Sequence, residues 1–228
     1  VSLIADLQSR GTRWAINTGR DLSSLMETLA RAHLPIKPDY VVVVEREVYR
    51  HDQSRYVAVE DWNRACDRAH AALFDQIRTQ LPEIIGWINA RYEASIFEDA
   101  WSPLCLVAES PADAESIHKF LDGYCDRVPH LTVTRNDVYA RLSHAAFNKG
   151  TALARVAGLL GVNPAETLAA GDHLNDLPML RTEFATRLVA PGNAVEAVKE
   201  SVRRQGGFVS QLPHGYGVLE GLRFHLDS

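Results

Sequence analysis

The sequence predicts an α/β protein, a parallel sheet with helices on both faces, interrupted by an α+β insert. Three observations carry this reading. First, a short apolar stretch, Thr12 to Asn17 (TRWAIN), is followed by a helix-period segment and then by Tyr40 to Val44 (YVVVV). Strand, helix and strand joined by short links make a βαβ unit, and a continuous β-branched run is what a strand buried on both faces requires. Second, the same rhythm of short strand and amphipathic helix returns after residue 140. Third, the strand candidates between those stretches carry more aromatics and polar alternation, as expected of a sheet with one solvated or cleft-facing side. The expected division is a discontinuous core at 1–50 and 140–228, with the insert at 51–139.

Element by element, Leu3, Ile4 and Leu7 recur at helical spacing and Gly11 stands where a C-terminal cap belongs. Asp21 can cap the next helix, whose apolar positions Leu22, Leu25, Met26, Leu29 and Ala32 keep a 3.6-residue period before Pro35 and Pro38 end it. Trp62, Ala65, Ala69, Leu73, Ile77 and Leu81 mark one long helix that Pro82 is expected to stop. Strand-like pieces follow at Ile84 to Ile88 and Leu104 to Ala108. Ser110-Pro111 then starts a helix through Ile117, Phe120 and Leu121. Leu131 to Thr134 and Val138 to Leu142 read as a strand pair turning at Asn136-Asp137. In the second part of the core, Asn148 caps a helix from Lys149 to Leu160, ended by Gly161. Thr167 to Ala170 is a strand, a helix is expected near Asp176, Arg187 to Ala190 is another strand, and Asn193 to Arg203 another helix.

Composition removes several classes of function. The chain is 46% hydrophobic and 23% charged with a formal net charge of -5, the balance of a globular protein. Its basic residues are scattered, the longest run being Arg203-Arg204, so nothing provides a footprint for nucleic acid. No apolar run approaches the roughly 18 residues of a membrane span. Three cysteines, Cys66, Cys105 and Cys125, form no C-x-x-C pair, which is expected of reduced thiols in the cytoplasm.

Chemistry concentrates in three places. Gly171-Asp172-His173-Leu174-Asn175-Asp176 sets two carboxylates and an amide oxygen at the end of a predicted parallel strand, where open α/β sheets bind ligands. A few oxygen donors suit magnesium, which retains water or phosphate for the rest of its octahedron; a capped turn is the alternative. Lys149 opens its helix, a position that the helix dipole disfavours unless an anion lies there; a solvated lysine is the alternative. Thr18-Gly19-Arg20 follows its strand in the same way, as a small anion nest or as an ordinary βα turn capped by Asp21.

Taken in order, INTGR, NKGTAL, GDHLNDLPML and PGNAVEAVKE resemble the second, third and fourth motifs and a trailing element of the haloacid dehalogenase superfamily. The likeness is to its capped sugar-phosphatase-like branch. It implies a Rossmann-like parallel-sheet core with an inserted α+β cap, and magnesium-dependent hydrolysis of a small phosphorylated substrate through an aspartyl-phosphate. By that resemblance Thr18 holds a phosphoryl oxygen, Lys149 orients nucleophile and phosphate, and Asp172 ligates Mg2+ with support from Asn175 and Asp176. Gly19, Arg20, Asn193 and Arg46 complete the expected phosphate surroundings.

The sequence also departs from that pattern. The superfamily begins with a strand ending in D-x-D, whose first Asp attacks phosphorus and whose second is the general acid, and no such motif occurs in this chain. The expectation is therefore a preceding strand that belongs between the one ending at Thr18 and the one ending at Asp172, without which the chain does not fold stably. Glu45-Arg46 replaces the small or Asn-Gly residues usual after the third strand, and is expected near the mouth of the site. His144 and His173 have no role under the resemblance. Trp87, Tyr92 and Trp101 are either a sugar-stacking face or the core of the insert. A non-catalytic phosphate- or metal-binding module and a phosphomutase or phosphotransferase remain alternative functions.

Overall fold

The structure, a computed structural model, describes residues 1–227. The chain forms two compact units, one of residues 1–64, 148–172 and 176–228, the other of 65–147 with 173–175.

The first unit opens with α1 (Ser2–Ser9), β1 (Ala15–Asn17), α2 (Leu22–Ala32), β2 (Tyr40–Val43), β3 (Glu47–Asp52) and β4 (Arg55–Ala58). The Asp21 side chain caps α2 by accepting from the Ser24 amide. β1 and β2 run parallel with Ile16 opposite Val41. From β2 the chain turns back into the antiparallel strands β3 and β4, a hairpin that the β-branched run at 40–44 did not announce. All four residues of β2 are buried, which is why a wholly apolar strand is tolerated there.

Next come α3 (Glu60–Ile77), α4 (Leu81–Asn89), β5 (Ala94–Phe97), β6 (Cys105–Ala108), α5 (Pro111–Cys125), β7 (Leu131–Asn136) and β8 (Tyr139–His144). Their strands form an antiparallel sheet in the order β5-β6-β8-β7. Its apolar face packs on Ile77, Ile84, Ile88, Ile117 and Leu121. Two expectations are corrected here. Ile84 to Ile88 is helix rather than strand, because the buried Leu81, Ile84 and Ile88 fall at helical spacing on one face of α4. Pro82 does not stop a helix; after a short 3-10 turn it takes the first turn of α4, where its missing N–H costs nothing. Pairing also sets the limits of the two sheets, since β4 extends the sheet of β2 while β8, through His144, belongs to the sheet of β5–β7.

The first unit resumes with α6 (Lys149–Leu160), β9 (Leu168–Ala170), β10 (Arg187–Ala190), α7 (Glu196–Arg204), β11 (Phe208–Val209) and α8 (His214–Asp227). Asn148 and Thr151 close a reciprocal capping box on α6, and Gly161 ends it in the left-handed region at φ 68°. Asp176 ends a 3-10 turn, Leu174–Asp176, rather than starting an α-helix, because its carboxylate is used in the fold described below. β9, β10 and β11 are parallel.

Among the described residues no ladder joins β1 to β9, and the first unit has two separate sheets. Both strands at this break are less covered than their neighbours. Ala15 is exposed and Ile16 and Asn17 half-buried in β1, and only Ala169 is buried in β9, whereas β10 is buried at three of four positions.

Close packing at the start of α6 has a measurable consequence. A Cβ on Gly150 would lie 2.2 Å from the Pro178 carbonyl oxygen and 2.6 Å from Phe184, whereas one on Gly158 in the same helix meets nothing within 4 Å. Gly150→Ala is expected to destabilise by about 2 kcal/mol. Gly158→Ala should stabilise by about 0.5–1 kcal/mol through helix propensity alone. Opposite shifts of melting temperature in calorimetry are the expected result; shifts of the same sign would contradict the packing described.

Candidate active site

Backbone hydrogen bonds build the loop after β1. The Thr18 amide donates to Val42, and the Val44 and Glu45 amides donate back to the carbonyls of Arg20 and Thr18, each at 2.9 Å. Val44 and Glu45 hold φ values of 43° and 68°, the left-handed pair of a tight hairpin turn where Asn-Gly is the usual solution. A β-branched residue there is strained, and the bonds to the Thr18 loop hold it. The Glu45 carboxylate rests on Gly19, whose missing Cβ would come within 3.3 Å of Oε1. Glu45 and Arg46 are buried, and the Arg46 carbonyl accepts from Trp62 Nε1. Thr18 Oγ1 accepts from the Arg20 amide at 3.2 Å, while the Arg20 guanidinium is exposed and reaches Ser24.

Lys149 is not a solvated helix-end lysine. Its ammonium lies 2.6 Å from Asp176 Oδ1, and the two side chains are only 6% and 8% exposed. Asp176 Oδ2 accepts from the Asp172 amide at 2.8 Å, so one carboxylate both neutralises the lysine and folds the loop after β9. Only glycine fits at 171, because a Cβ there would be 2.5 Å from the Asp176 side chain. Asn193 Nδ2 donates to Asp172 Oδ2 at 2.9 Å, and Asn193 Oδ1 accepts from the His214 amide. The Val195 amide donates to the Asp172 carbonyl. On the other side, Asn17 Nδ2 donates to the Lys149 carbonyl at 2.9 Å, tying the end of β1 to the start of α6.

The structure therefore brings Lys149, Asp172, Asp176 and Asn193 into one hydrogen-bonded chain, and Thr18, Gly19 and Glu45 into a second cluster. Asn17 was not singled out from the sequence, although an amide ending an apolar strand was the available signal. Asn175 is buried. Lys149 and the Asp172 amide each engage one Asp176 oxygen, while the Asp172 carboxylate belongs to an exposed residue. Among the described residues no group of three or more His, Cys, Asp or Glu side chains could hold a metal. The oxygen donors of Asp172, Asn175 and Asp176 are of the kind that fits magnesium, which needs few protein ligands.

The other candidates lie elsewhere. His144 stacks on His130 and accepts from the Ala146 amide, and burial, then the charge of His130, lower its pKa. Trp87 stacks on Phe120 at 3.7 Å and packs with Tyr92 against the core of the second unit, so both serve as core, not as an open sugar face.

A sequence profile of haloacid dehalogenase-like hydrolases matches residues 89–211, more than half of the chain. The chain belongs to this family. Among curated relatives, a phosphoglycolate phosphatase of Methanospirillum hungatei is 26% identical over 64% of the chain and 57% of its own length. That of Archaeoglobus fulgidus is 40% identical over 62% of the chain and 59% of its own length. The chain thus spans a little over half the length of these relatives. Among solved structures, the sucrose-phosphatase of Synechocystis, complexed with sucrose and phosphate, superposes with a TM-score of 0.72 at 20% identity. The match covers 99% of this chain and 90% of that one, which shows a shared fold. No helix of the described residues is long and apolar enough to cross a membrane.

In this chain the Lys149–Asp176 pair is expected to behave as one unit. Lys149→Met alone strands a buried carboxylate and should cost about 3–5 kcal/mol in urea unfolding. Lys149→Met combined with Asp176→Asn should cost clearly less than the two single losses added together. Additive losses below about 1 kcal/mol each would mean that the pair is solvated.

Proposed function

We propose that the chain is the larger part of a magnesium-dependent phosphatase that hydrolyses a small phosphomonoester, a sugar phosphate by preference, through an aspartyl-phosphate. The observation that carries this reading is the buried lysine–carboxylate relay, Lys149 to Asp176 to Asp172, at the end of β9 and against the end of β1. Kinship with phosphatases supports it, and the sucrose-phosphatase likeness favours a sugar phosphate over phosphoglycolate.

Each residue then has a role that its surroundings permit. Thr18 and Gly19 offer a hydroxyl and a close backbone approach to a phosphoryl oxygen. Lys149, fixed from below by Asp176, presents positive charge in a site with little water, where it counts for more than in bulk solvent. Asn193 fixes the Asp172 carboxylate and lies close to the phosphate. Arg20, now turned toward Ser24, and Arg46 complete the anion surroundings. Mg2+ would be held by Asp172, Asn175 and Asp176, and when bound it supplies charge neutralisation of the phosphoryl oxygens.

The sequence contains no D-x-D, so the nucleophile and the general acid are assigned to a strand outside this chain, lodged between β1 and β9. Open edges and incomplete cover on both strands support that place for it. The α+β insert is assigned substrate selection. Three buried cysteines, none of them in a disulfide among the described residues, fit a reducing compartment, which we take to be the cytoplasm.

Phosphate release by the intact protein from a panel of sugar phosphates and phosphoglycolate tests this. Release is expected with magnesium, lost with EDTA, and lowered at least a hundredfold in Asp172→Asn. Binding of inorganic phosphate without any turnover would favour the non-catalytic module, and release that depends on an added acceptor would favour a phosphotransferase.

A further inference from the structure

The first unit has a cavity of about 420 Å³ that the phosphatase reading leaves unused. One wall is α2, whose Leu22, Met26 and Leu29 face it, continued by Leu34 and Ile36. The opposite wall is the tip of the β3–β4 hairpin, with His51, Ser54, Arg55 and Tyr56. Tyr40, the first residue of β2, pairs with Arg50 beside this hairpin tip, whereas the Thr18 loop is bonded to the other end of β2. The cavity therefore lies at the opposite end of β2 from the Thr18 loop.

Its polar groups are arranged with one sign. The two charged side chains that line it, Lys37 and Arg55, are exposed, and neither makes an ion pair among the described residues. Asp39, next to Pro38 in the chain, is already engaged by Gln8, Arg13 and the Trp14 amide. Tyr56 donates its hydroxyl to the Pro38 carbonyl, and burial, then the charge of Asp39, push its pKa up to about 12, so the phenol stays neutral. Against the Tyr56 ring, 5.1 Å away, His51 keeps a buried Nε2 that has no hydrogen-bond partner. A buried polar atom left without a partner is costly.

We propose that this cavity is a binding site for a small amphipathic carboxylate, its apolar body against α2 and its carboxylate between Lys37 and Arg55. The volume is that of an ordinary small-molecule site, apolar with a few placed polar groups. The apolar lining gives affinity and the two cations give sign. The site does not depend on the phosphatase reading.

Octanoate titrated into the intact protein, followed by NMR of the Leu, Ile and Met methyl groups, tests the proposal. Saturable shifts at Met26, Leu29 and Ile36 are expected, with binding at least tenfold weaker for octylamine, which has the same tail and the opposite charge. Lys37→Glu with Arg55→Glu should weaken octanoate at least tenfold, and Met26→Trp, which fills the cavity, should abolish the shifts. Absence of saturable shifts, or equal responses to octanoate and octylamine, overturns it. Should Met26→Trp fail to fold, the octylamine comparison and the charge-reversed variant decide.

Discussion

A lysine buried at the first turn of a helix requires an anion within reach, and in this chain that requirement is met by Asp176. The ammonium meets the positive end of the α6 dipole, and burial removes most of the water that would otherwise solvate it. Asp176 offsets both costs, and its second oxygen holds the Asp172 amide. The direction in which Asp172 emerges from β9, the need for glycine at 171 and the absence of an α-helix at Asp176 all follow from that one carboxylate. Stability alone does not account for the pair, since well-packed apolar residues are often at least as stable in such a place.

The relay stands beside an interruption in the sheet. Among the described residues β1 and β9 each pair with one strand, and Asn17 ties the end of β1 to the start of α6. Asn17 Oδ1 is buried there without a hydrogen-bond partner. A strand inserted at the break could satisfy such groups and bring acids of its own next to Lys149.

Much of this was legible in the sequence because the signals were local. The caps Asp21, Ser110 and Asn148, the run YVVVV and the strand before Gly171-Asp172 each follow from the chemistry of a few adjacent residues. Where the outcome depends on a distant partner the signal fails. Ile84 to Ile88 is equally apolar as strand or helix, and only its place beneath the β5–β8 sheet selects the helix. The β2–β3 hairpin was missed because its turn uses Val44-Glu45 in place of a recognisable Asn-Gly, and the bonds that hold that turn come from the Thr18 loop. For the site, the residue types were readable while the pairing of Lys149 with Asp176 was not, since their separation by 27 positions leaves no trace in either motif.

The state of the Lys149 ammonium is the most direct test of this account. Nitrogen-15 NMR of the lysine side chains in the intact protein reads its proton exchange and its chemical shift. A paired, buried ammonium predicts one lysine signal with slowly exchanging protons, lost in Asp176→Asn and displaced when magnesium and orthovanadate are added together. Protons on Lys149 that exchange as fast as those of surface lysines, with a signal indifferent to magnesium and vanadate, would contradict it.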